Sequence, residues 1–220
     1  MKNKIILVAI SLCFLAVSFG IAVKFYRSQK NQEVSEITRK NFSKLVPDYA
    51  PRLGGTDPKI YLVEFLDPEC ESCREMYPFV KMILNDYKDK IQLVVRYATF
   101  HGNSKMVVKI LEASRKQNKY WETMDVLMKY QPQWGSHHEP RPDLIWKYLP
   151  EAGVDVELIR KDMTDPALDE LLAKEEKDVF DLGIRQTPTF FINGTQVHLF
   201  GYEPLTQLIE SELKDIENAK

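Results

Sequence analysis

The chain has 220 residues, of which 44% are hydrophobic and 28% are charged, so it is long enough and apolar enough to fold around a sizeable core. Its 30 lysine and arginine residues and 32 aspartate and glutamate residues leave a formal net charge of -2. This balance argues against a nucleic-acid-binding protein, which needs a basic surface, and gives no long-range electrostatic steering.

The N-terminal segment predicts a membrane anchor. Residues 5–23 carry no charge, and an apolar run of about 20 residues is long enough to cross a lipid bilayer as a helix. We interpret residues 1–30 as a signal anchor, which would contact the bilayer through residues 5–23, and residues 31–44 as a short polar tether. The alternative is a signal peptide that is cleaved near residues 16–18.

The next predicted elements are a buried strand and a helix that begins at a pair of cysteines. Residues 60–66 are apolar and end at Asp67-Pro68, after which the hydrophobic period becomes that of a helix. At a helix N-terminus, unpaired backbone amides and the helix dipole favour a thiolate. Cys73 falls on the apolar stripe of the helix, and Cys70 lies to one side of it. We therefore predict an accessible, nucleophilic Cys70 with a lowered pKa and a sheltered, resolving Cys73.

A pair of cysteines at this spacing also occurs in zinc sites, which need a second pair of ligands. The third cysteine, Cys13, lies in the apolar N-terminal segment, and the four histidines show no H-x-x-x-H spacing. We therefore expect redox chemistry through a Cys70–Cys73 disulfide, with no metal and no other cofactor. A copper-binding chaperone or binding module, in which the two cysteines hold a soft ion such as Cu(I), is an alternative.

Two residues near the cysteines are candidates for a part in the redox chemistry. Glu64 interrupts the apolar strand and lies either on a solvated face or edge, or beneath the cysteines. In the buried position its pKa would rise by desolvation, and the carboxyl group would shuttle the proton of Cys73. Pro78 lies inside the predicted helix, where it removes one backbone hydrogen bond and predicts a kink.

The rest of the chain predicts a second strand, several helices, a hairpin and a final helix. The second strand covers residues 91–98. Asn193-Gly194 predicts a type I′ turn between strands at residues 189–192 and 196–200. A final amphipathic helix includes the apolar residues Leu205, Leu208, Ile209, Leu213 and Ile216. The helical stretches between the second strand and the hairpin cover residues 105–117, 120–130, 144–149, 154–163 and 168–182.

These motifs resemble the thioredoxin fold, in which a strand leads to a C-x-x-C helix and a Thr-Pro dipeptide precedes a hairpin and a final helix. A closer similarity, over about residues 45–217, is to the DsbA-like thiol:disulfide oxidoreductases. The resemblance implies an α/β thioredoxin fold in one domain, residues 45–220, with a helical insertion at about residues 103–182. The segments that carry the closer similarity are Tyr97–Ser104, Lys119–Glu122 and Leu182–Gly194.

The resemblance also implies a set of site residues. Cys70, Cys73, Glu64 and Pro188 would be catalytic, and the Thr187–Pro188 peptide bond would be cis and packed against the cysteines. Thr187 and Pro188 would then hold an extended substrate strand beside Cys70 by main-chain pairing.

The implied function is that of a thiol:disulfide oxidoreductase on the extracytoplasmic side of the membrane, which is the oxidising side. Its partners would be unfolded or flexible exported proteins with thiols and a membrane redox partner that reoxidises it, and we expect a monomer. The alternative is a thiol reductase or a disulfide isomerase. His101 follows the second strand near the active-site face of this family and is expected to have a supporting role.

The residues around Cys70 differ from the DsbA pattern. That pattern is C-P-H-C, whereas this chain has Glu69 and Glu71 on either side of Cys70. Their charges disfavour the thiolate and so stabilise the disulfide. We therefore predict a weaker oxidant than typical DsbA enzymes.

Overall fold

The computed structural model describes residues 18–21, 23–26, 29, 42–136 and 138–218. Most of the predicted anchor, residues 1–30, and of the tether, residues 31–44, lies outside the described residues. Within the part of the chain that the structure describes, no helix is both long enough and apolar enough to span a bilayer. The anchor therefore stays a prediction.

In the described part of the chain, five strands form one sheet at the centre of the fold. Their order is β1-β3-β2-β4-β5, with β2 and β3 parallel and every other neighbouring pair antiparallel. β2 has partners on both sides and helices over both faces, which explains its nearly continuous apolar sequence. The strands are β1 (Arg52–Gly54), β2 (Ile60–Leu66), β3 (Ile91–Tyr97), β4 (Thr189–Ile192) and β5 (Thr195–Val197).

Helices cover both faces of this sheet. The α-helices within residues 42–218 are α1 (Phe42–Leu45), α2 (Glu71–Tyr87), α3 (Ser104–Arg115), α4 (Tyr120–Trp134), α5 (Ile145–Tyr148), α6 (Val156–Asp162), α7 (Pro166–Asp181) and α8 (Tyr202–Asn218). Helices α2 and α8 share one hydrophobic cluster with the insertion helices α3 to α6 and with Leu172 of α7. Helix α1 and Val179 of α7 belong to the cluster on the opposite face. Short 3-10 turns cover Lys88–Lys90, Pro142–Leu144 and Leu149–Ala152.

Side chains alternate between the two faces along β2 because successive strand residues point in opposite directions. Leu62 and Leu66 pack in the cluster that contains both cysteines, and Val63 and Phe65 pack in the cluster with α7. Glu64 shares the register of Leu62 and Leu66 and is only 1% exposed. It therefore faces α2 from below, and the solvated alternative for this residue is wrong.

The predicted strands and helices need four corrections. β5 ends at Val197, so the prediction of a strand to residue 200 is wrong: the next three residues are exposed in the loop before α8. α4 continues past residue 130 to Trp134, whose buried ring donates a hydrogen bond to the Leu127 carbonyl at 2.9 Å. The predicted helix at residues 144–149 is α5 flanked by two 3-10 turns, and β1, only three residues long, was missed.

The predicted turn at Asn193-Gly194 is present. Both residues have positive φ, 48° and 86°, as a type I′ turn requires, and they join the antiparallel strands β4 and β5.

α2 continues through Pro78 as one helix from Glu71 to Tyr87.

A buried ion-pair network fastens α7 to the sheet. The Arg96 side chain on β3 is fully buried, and its Nε lies 3.0 Å from both carboxylate oxygens of Glu175. Its Nη2 lies 2.8 Å from Asp178 Oδ2 and 3.1 Å from the Tyr49 hydroxyl. Glu175 also accepts a hydrogen bond from the Tyr97 backbone at 3.0 Å, so the network joins helix, strand and N-terminal segment.

Replacing Arg96 by Ala leaves Glu175 and Asp178 as buried charges without their partner. We expect Arg96→Ala to lower the free energy of unfolding by about 3–5 kcal/mol, as measured by urea titration. Lys177→Ala is the matched control on the same helix, because the ion pair of Lys177 with Asp181 is exposed and its loss should leave the unfolding midpoint nearly unchanged. Equal midpoints for the two variants would contradict a fastening role for Arg96.

Candidate active site

The turn between β2 and α2 presents both thiols at the edge of the sheet. The Cys70 backbone N–H donates to the Asp67 carbonyl at 3.0 Å, and the Arg74 N–H donates to the Cys70 carbonyl at 3.2 Å. Cys70 has an extended conformation and directly precedes α2, and Cys73 lies in the first turn of that helix. Both thiols are free rather than joined in a disulfide.

The two cysteines differ in exposure in the predicted order, but Cys70 is less accessible than expected. Cys70 is 7% exposed and Cys73 is 0% exposed. The Cys70 Sγ donates a hydrogen bond to the carbonyl oxygen of Thr187 at 3.3 Å.

The surroundings shift the pKa values of the two thiols in opposite directions. The pKa of Cys70 falls from 9.0 to about 5, chiefly because the Cys73 thiol hydrogen-bonds to it; burial opposes this shift, and the Thr187 side chain and the Cys73 and Ser72 backbones add to it. The pKa of Cys73 rises well above 9.0 because of burial, the hydrogen bond to Cys70 and the charge of Glu64. The pair is thus poised as a Cys70 thiolate beside a protonated Cys73.

Glu64 is a buried carboxyl group whose charge acts on Cys73. Burial, followed by the charge of Cys70, raises its pKa from 4.5 to about 8. Its neighbours across the sheet are Val95 and Phe190, and its Oε1 has no hydrogen-bond partner within the described residues. A carboxyl group with a pKa near neutrality is suited to accept and return protons at physiological pH.

The predicted substrate-binding dipeptide lies beside the cysteines, although it follows them by more than a hundred residues in the chain. The Thr187–Pro188 peptide bond is cis. β4 begins at Thr189, which pairs with Phe65 near the end of β2, and this register brings the preceding loop next to Cys70. The fold therefore brings together all the predicted site residues: Cys70, Cys73, Glu64, Thr187 and Pro188.

A residue without a predicted role, Asp67, organises this end of the sheet. Its buried side chain accepts backbone hydrogen bonds from Glu69 at 2.9 Å, Phe100 at 2.7 Å and His101 at 3.1 Å, and it also accepts from the Ser104 hydroxyl. The sequence marks Asp67 only as the end of a strand. A signal was nevertheless available, because the carboxyl ends of the parallel strands β2 and β3 meet at one edge of the sheet.

The insertion also contacts the cysteine turn. Gln131 on α4 donates from Nε2 to the carbonyls of Pro68 and Cys70, both at 2.9 Å. The carboxylate of Glu69 accepts from the Asn103 backbone at 2.8 Å and from the Asn103 side chain at 2.7 Å. Helical insertion and sheet thus hold the turn from two sides.

Residues 48–211 match a family model described as thioredoxin. The chain belongs to the thioredoxin family. Among solved structures, this thioredoxin-family chain is similar to a thioredoxin-like oxidoreductase from Silicibacter pomeroyi, with 26% identity, a TM-score of 0.68 and coverage of 78% of this chain and 97% of that one. The thiol-disulfide exchange protein alpha-DsbA2 from Wolbachia pipientis shares its fold, with 19% identity, a TM-score of 0.71 and coverage of 84% and 97%. The predicted thioredoxin fold with a helical insertion is confirmed.

Curated relatives of this thioredoxin-family chain carry two kinds of name. One is a Na(+)/H(+) antiporter NhaA of Herminiimonas arsenicoxydans, 28% identical over 66% of this chain. This chain spans only 22% of that antiporter, and 23% of a second one from Salinispora tropica. The other is a probable disulfide bond formation protein D of Bacillus cereus, 29% identical over 74% of this chain and 78% of the relative.

Replacing Glu64 by Gln removes a proton-binding group whose pKa is about 8 in the fold and 4.5 ordinarily. Between these two values the folded protein binds more protons than the unfolded chain, so the free energy of unfolding falls as the pH rises through this window. We expect Glu64→Gln, in reducing buffer, to gain stability over the wild type as the pH rises from 5 to about 8. Urea unfolding at several pH values measures the difference.

Glu170→Gln serves as the control for this titration, because Glu170 is an exposed carboxylate on α7. It should keep the pH dependence of the wild type. If Glu64→Gln also keeps that dependence, the buried proton belongs to another group.

Proposed function

We propose that the chain is a thiol:disulfide oxidoreductase that exchanges disulfides with exported proteins through Cys70 and Cys73. The observation that carries this proposal is the coupled pair itself: Cys73 hydrogen-bonds to Cys70 and lowers its pKa to about 5, while its own pKa is raised. The thiolate is the reactive form in thiol–disulfide exchange. The names of the Bacillus cereus and Wolbachia pipientis proteins add support.

The proposed reaction starts from the Cys70–Cys73 disulfide. A substrate thiolate attacks Cys70 Sγ, forms a mixed disulfide and displaces Cys73 as a thiolate, which Glu64 protonates. A second substrate thiolate then attacks the substrate sulfur of the mixed disulfide and releases the Cys70 thiolate. The substrate loses two electrons and gains a disulfide, and the two enzyme cysteines gain those electrons. The proposed redox group is the cysteine pair, which takes up both electrons.

The substrate would lie along the Thr187 loop as an added strand. The Thr187 carbonyl already reaches Cys70 Sγ, at 3.3 Å. An extended chain that pairs with the backbone of Thr187 would therefore place its cysteine at Cys70. Main-chain pairing reads no particular side chain, so the expected substrates are unfolded or flexible proteins rather than one sequence.

The proposed direction is oxidation of the substrate. Stabilisation of the Cys70 thiolate stabilises the reduced enzyme, and an enzyme with a stabilised reduced form is an oxidant. Glu69 and Glu71 act against this, so we propose a weaker oxidant than typical DsbA enzymes. Reduction is the second candidate, favoured by the position of Glu64, because a base beside Cys73 assists resolution from the dithiol state.

We propose that the domain acts as a monomer outside the cytoplasm, anchored to the membrane through residues 5–23 and reoxidised by a membrane redox partner. Disulfides persist in oxidising compartments, where substrate cysteines become paired. The uncharged run of residues 5–23 supports the anchor.

Removal of the resolving thiol tests the proposed chemistry. Cys73→Ser leaves a Cys70 that can attack but cannot complete the cycle, so we expect mixed disulfides with cellular proteins on non-reducing gels. Cys70→Ser is the matched control and should trap far fewer. A metal-binding module predicts the opposite pattern, in which either variant loses Cu(I) and neither forms mixed disulfides.

The reduction potential of the Cys70–Cys73 pair decides the direction of exchange. Equilibration of the full chain against glutathione should give a value between about -120 and -180 mV, the range of oxidants and isomerases. A value near about -270 mV, which is typical of thioredoxin reductants, would make reduction the favoured function.

A further inference from the structure

A histidine–aspartate pair lies at the rim of the active site. His101 Nδ1 is 2.8 Å from Asp67 Oδ2, and the His101 backbone N–H reaches the same oxygen at 3.1 Å. Because Asp67 is fully buried and a carboxylate only accepts hydrogen bonds, Nδ1 must donate to it. Ring and backbone are therefore held together, and the imidazole has a defined position.

We infer that the His101 imidazolium stabilises the Cys70 thiolate across the active-site turn and thereby raises the oxidising power of the cysteine pair. This inference rests on the proposed function and assigns His101 an electrostatic role in it. The residues between the two cysteines are Glu71 and Ser72, neither of which can supply a positive charge.

Asp67 links His101 to Cys70, because its backbone contacts Cys70 and its side chain contacts the His101 ring. The Cys70 N–H donates to the Asp67 carbonyl at 3.0 Å, which closes a four-residue turn whose ends lie within about 7 Å of each other. The side chain of the same Asp67 holds the ring of His101. His101 and Glu69, the residue before Cys70, also line one cavity of about 170 Å³.

The negative charges around this cavity make a protonated His101 important for the ionisation of Cys70. Asp67 and Glu69 carry carboxylates, which disfavour a thiolate at Cys70. Burial opposes a charge on His101, but the hydrogen bond and charge of Asp67 and the charges of Cys70 and Glu69 outweigh it, and the pKa of His101 is raised. The histidine side chain is 25% exposed, so it exchanges protons with solvent. When protonated, His101 offsets the negative charges of Asp67 and Glu69, which lie in the same turn as Cys70.

The consequence for redox chemistry follows from the difference in charge between the two states. In the disulfide Cys70 is neutral, and in the reduced protein it is a thiolate that a nearby cation stabilises. The cation therefore favours the reduced enzyme and makes the disulfide a stronger oxidant. No covalent step is added to the proposed reaction.

The direct test compares His101→Gln with the wild-type full chain. We expect the pKa of Cys70, followed by ultraviolet absorbance of the thiolate, to rise by about one unit, a tenfold change in its ionisation equilibrium. The equilibrium with glutathione should shift about tenfold toward the disulfide, which corresponds to a potential about 30 mV lower. His101→Lys, which keeps a positive charge, should restore part of both effects.

His198→Gln is the matched control. His198 is exposed in the loop after β5, at the edge of the sheet opposite β1, and its replacement should leave the Cys70 pKa and the potential unchanged. If His101→Gln also leaves them unchanged, or if Gln and Lys at position 101 behave alike, the inference is overturned.

A measurement on the unaltered protein covers the case in which His101→Gln does not fold. Because linkage is reciprocal, the His101 imidazole followed by NMR should have a higher pKa in the reduced protein than in the disulfide form. Equal values in the two forms would overturn the inference. If the wild-type pair does not equilibrate with glutathione at all, the proposed function itself fails, which is a separate and recognisable result.

Discussion

The buried carboxylate of Asp67 holds the active site in one arrangement. It accepts hydrogen bonds from Glu69 in the cysteine turn and from Phe100 and His101 in the loop after β3. Each of these donors would cost about 1–3 kcal/mol if it were buried without a partner, so the acceptor constrains both loops at once. The turn that carries Cys70 and the orientation of the His101 ring both depend on this single side chain.

Two ionisable residues are buried on neighbouring strands, and the fold offsets the cost of burying their charge in different ways. Arg96 on β3 is surrounded by Glu175, Asp178 and Tyr49, so its charge is paired and contributes to the attachment of α7. Glu64 on β2 has no such cation among its described neighbours and instead has a raised pKa. A paired buried charge serves the architecture, whereas a group that becomes neutral near physiological pH is available for proton transfer.

The helical insertion is part of the active site rather than a separate module. Its helices α3 to α6 share one hydrophobic cluster with α2 and with both cysteines. Gln131 fixes the carbonyls of the cysteine turn, and Asn103 at the start of α3 binds the carboxylate of Glu69. The hydrogen bonds from Asn103 thus bind the Glu69 carboxylate, whose charge the sequence analysis expected to disfavour the Cys70 thiolate. In the fold, the hydrogen bond from Cys73 dominates the pKa of Cys70.

The sequence by itself determined the features that arise from neighbouring residues. The apolar run of β2, the stripe of α2 that buries Cys73, and the Asn193-Gly194 turn follow from local periodicity and backbone preference. Family resemblance added the thioredoxin fold and the place of the Thr187–Pro188 dipeptide.

Only the tertiary structure decided which distant groups meet. It placed Glu64 on the face beneath the cysteines, joined Asp67 to His101, and ended β5 at Val197, opposite Phe190 of β4. These outcomes depend on strand register and on where buried donors find acceptors. Neither is encoded in a window of a few residues, since the energy of a buried hydrogen bond or charge is set by partners that are remote in the chain.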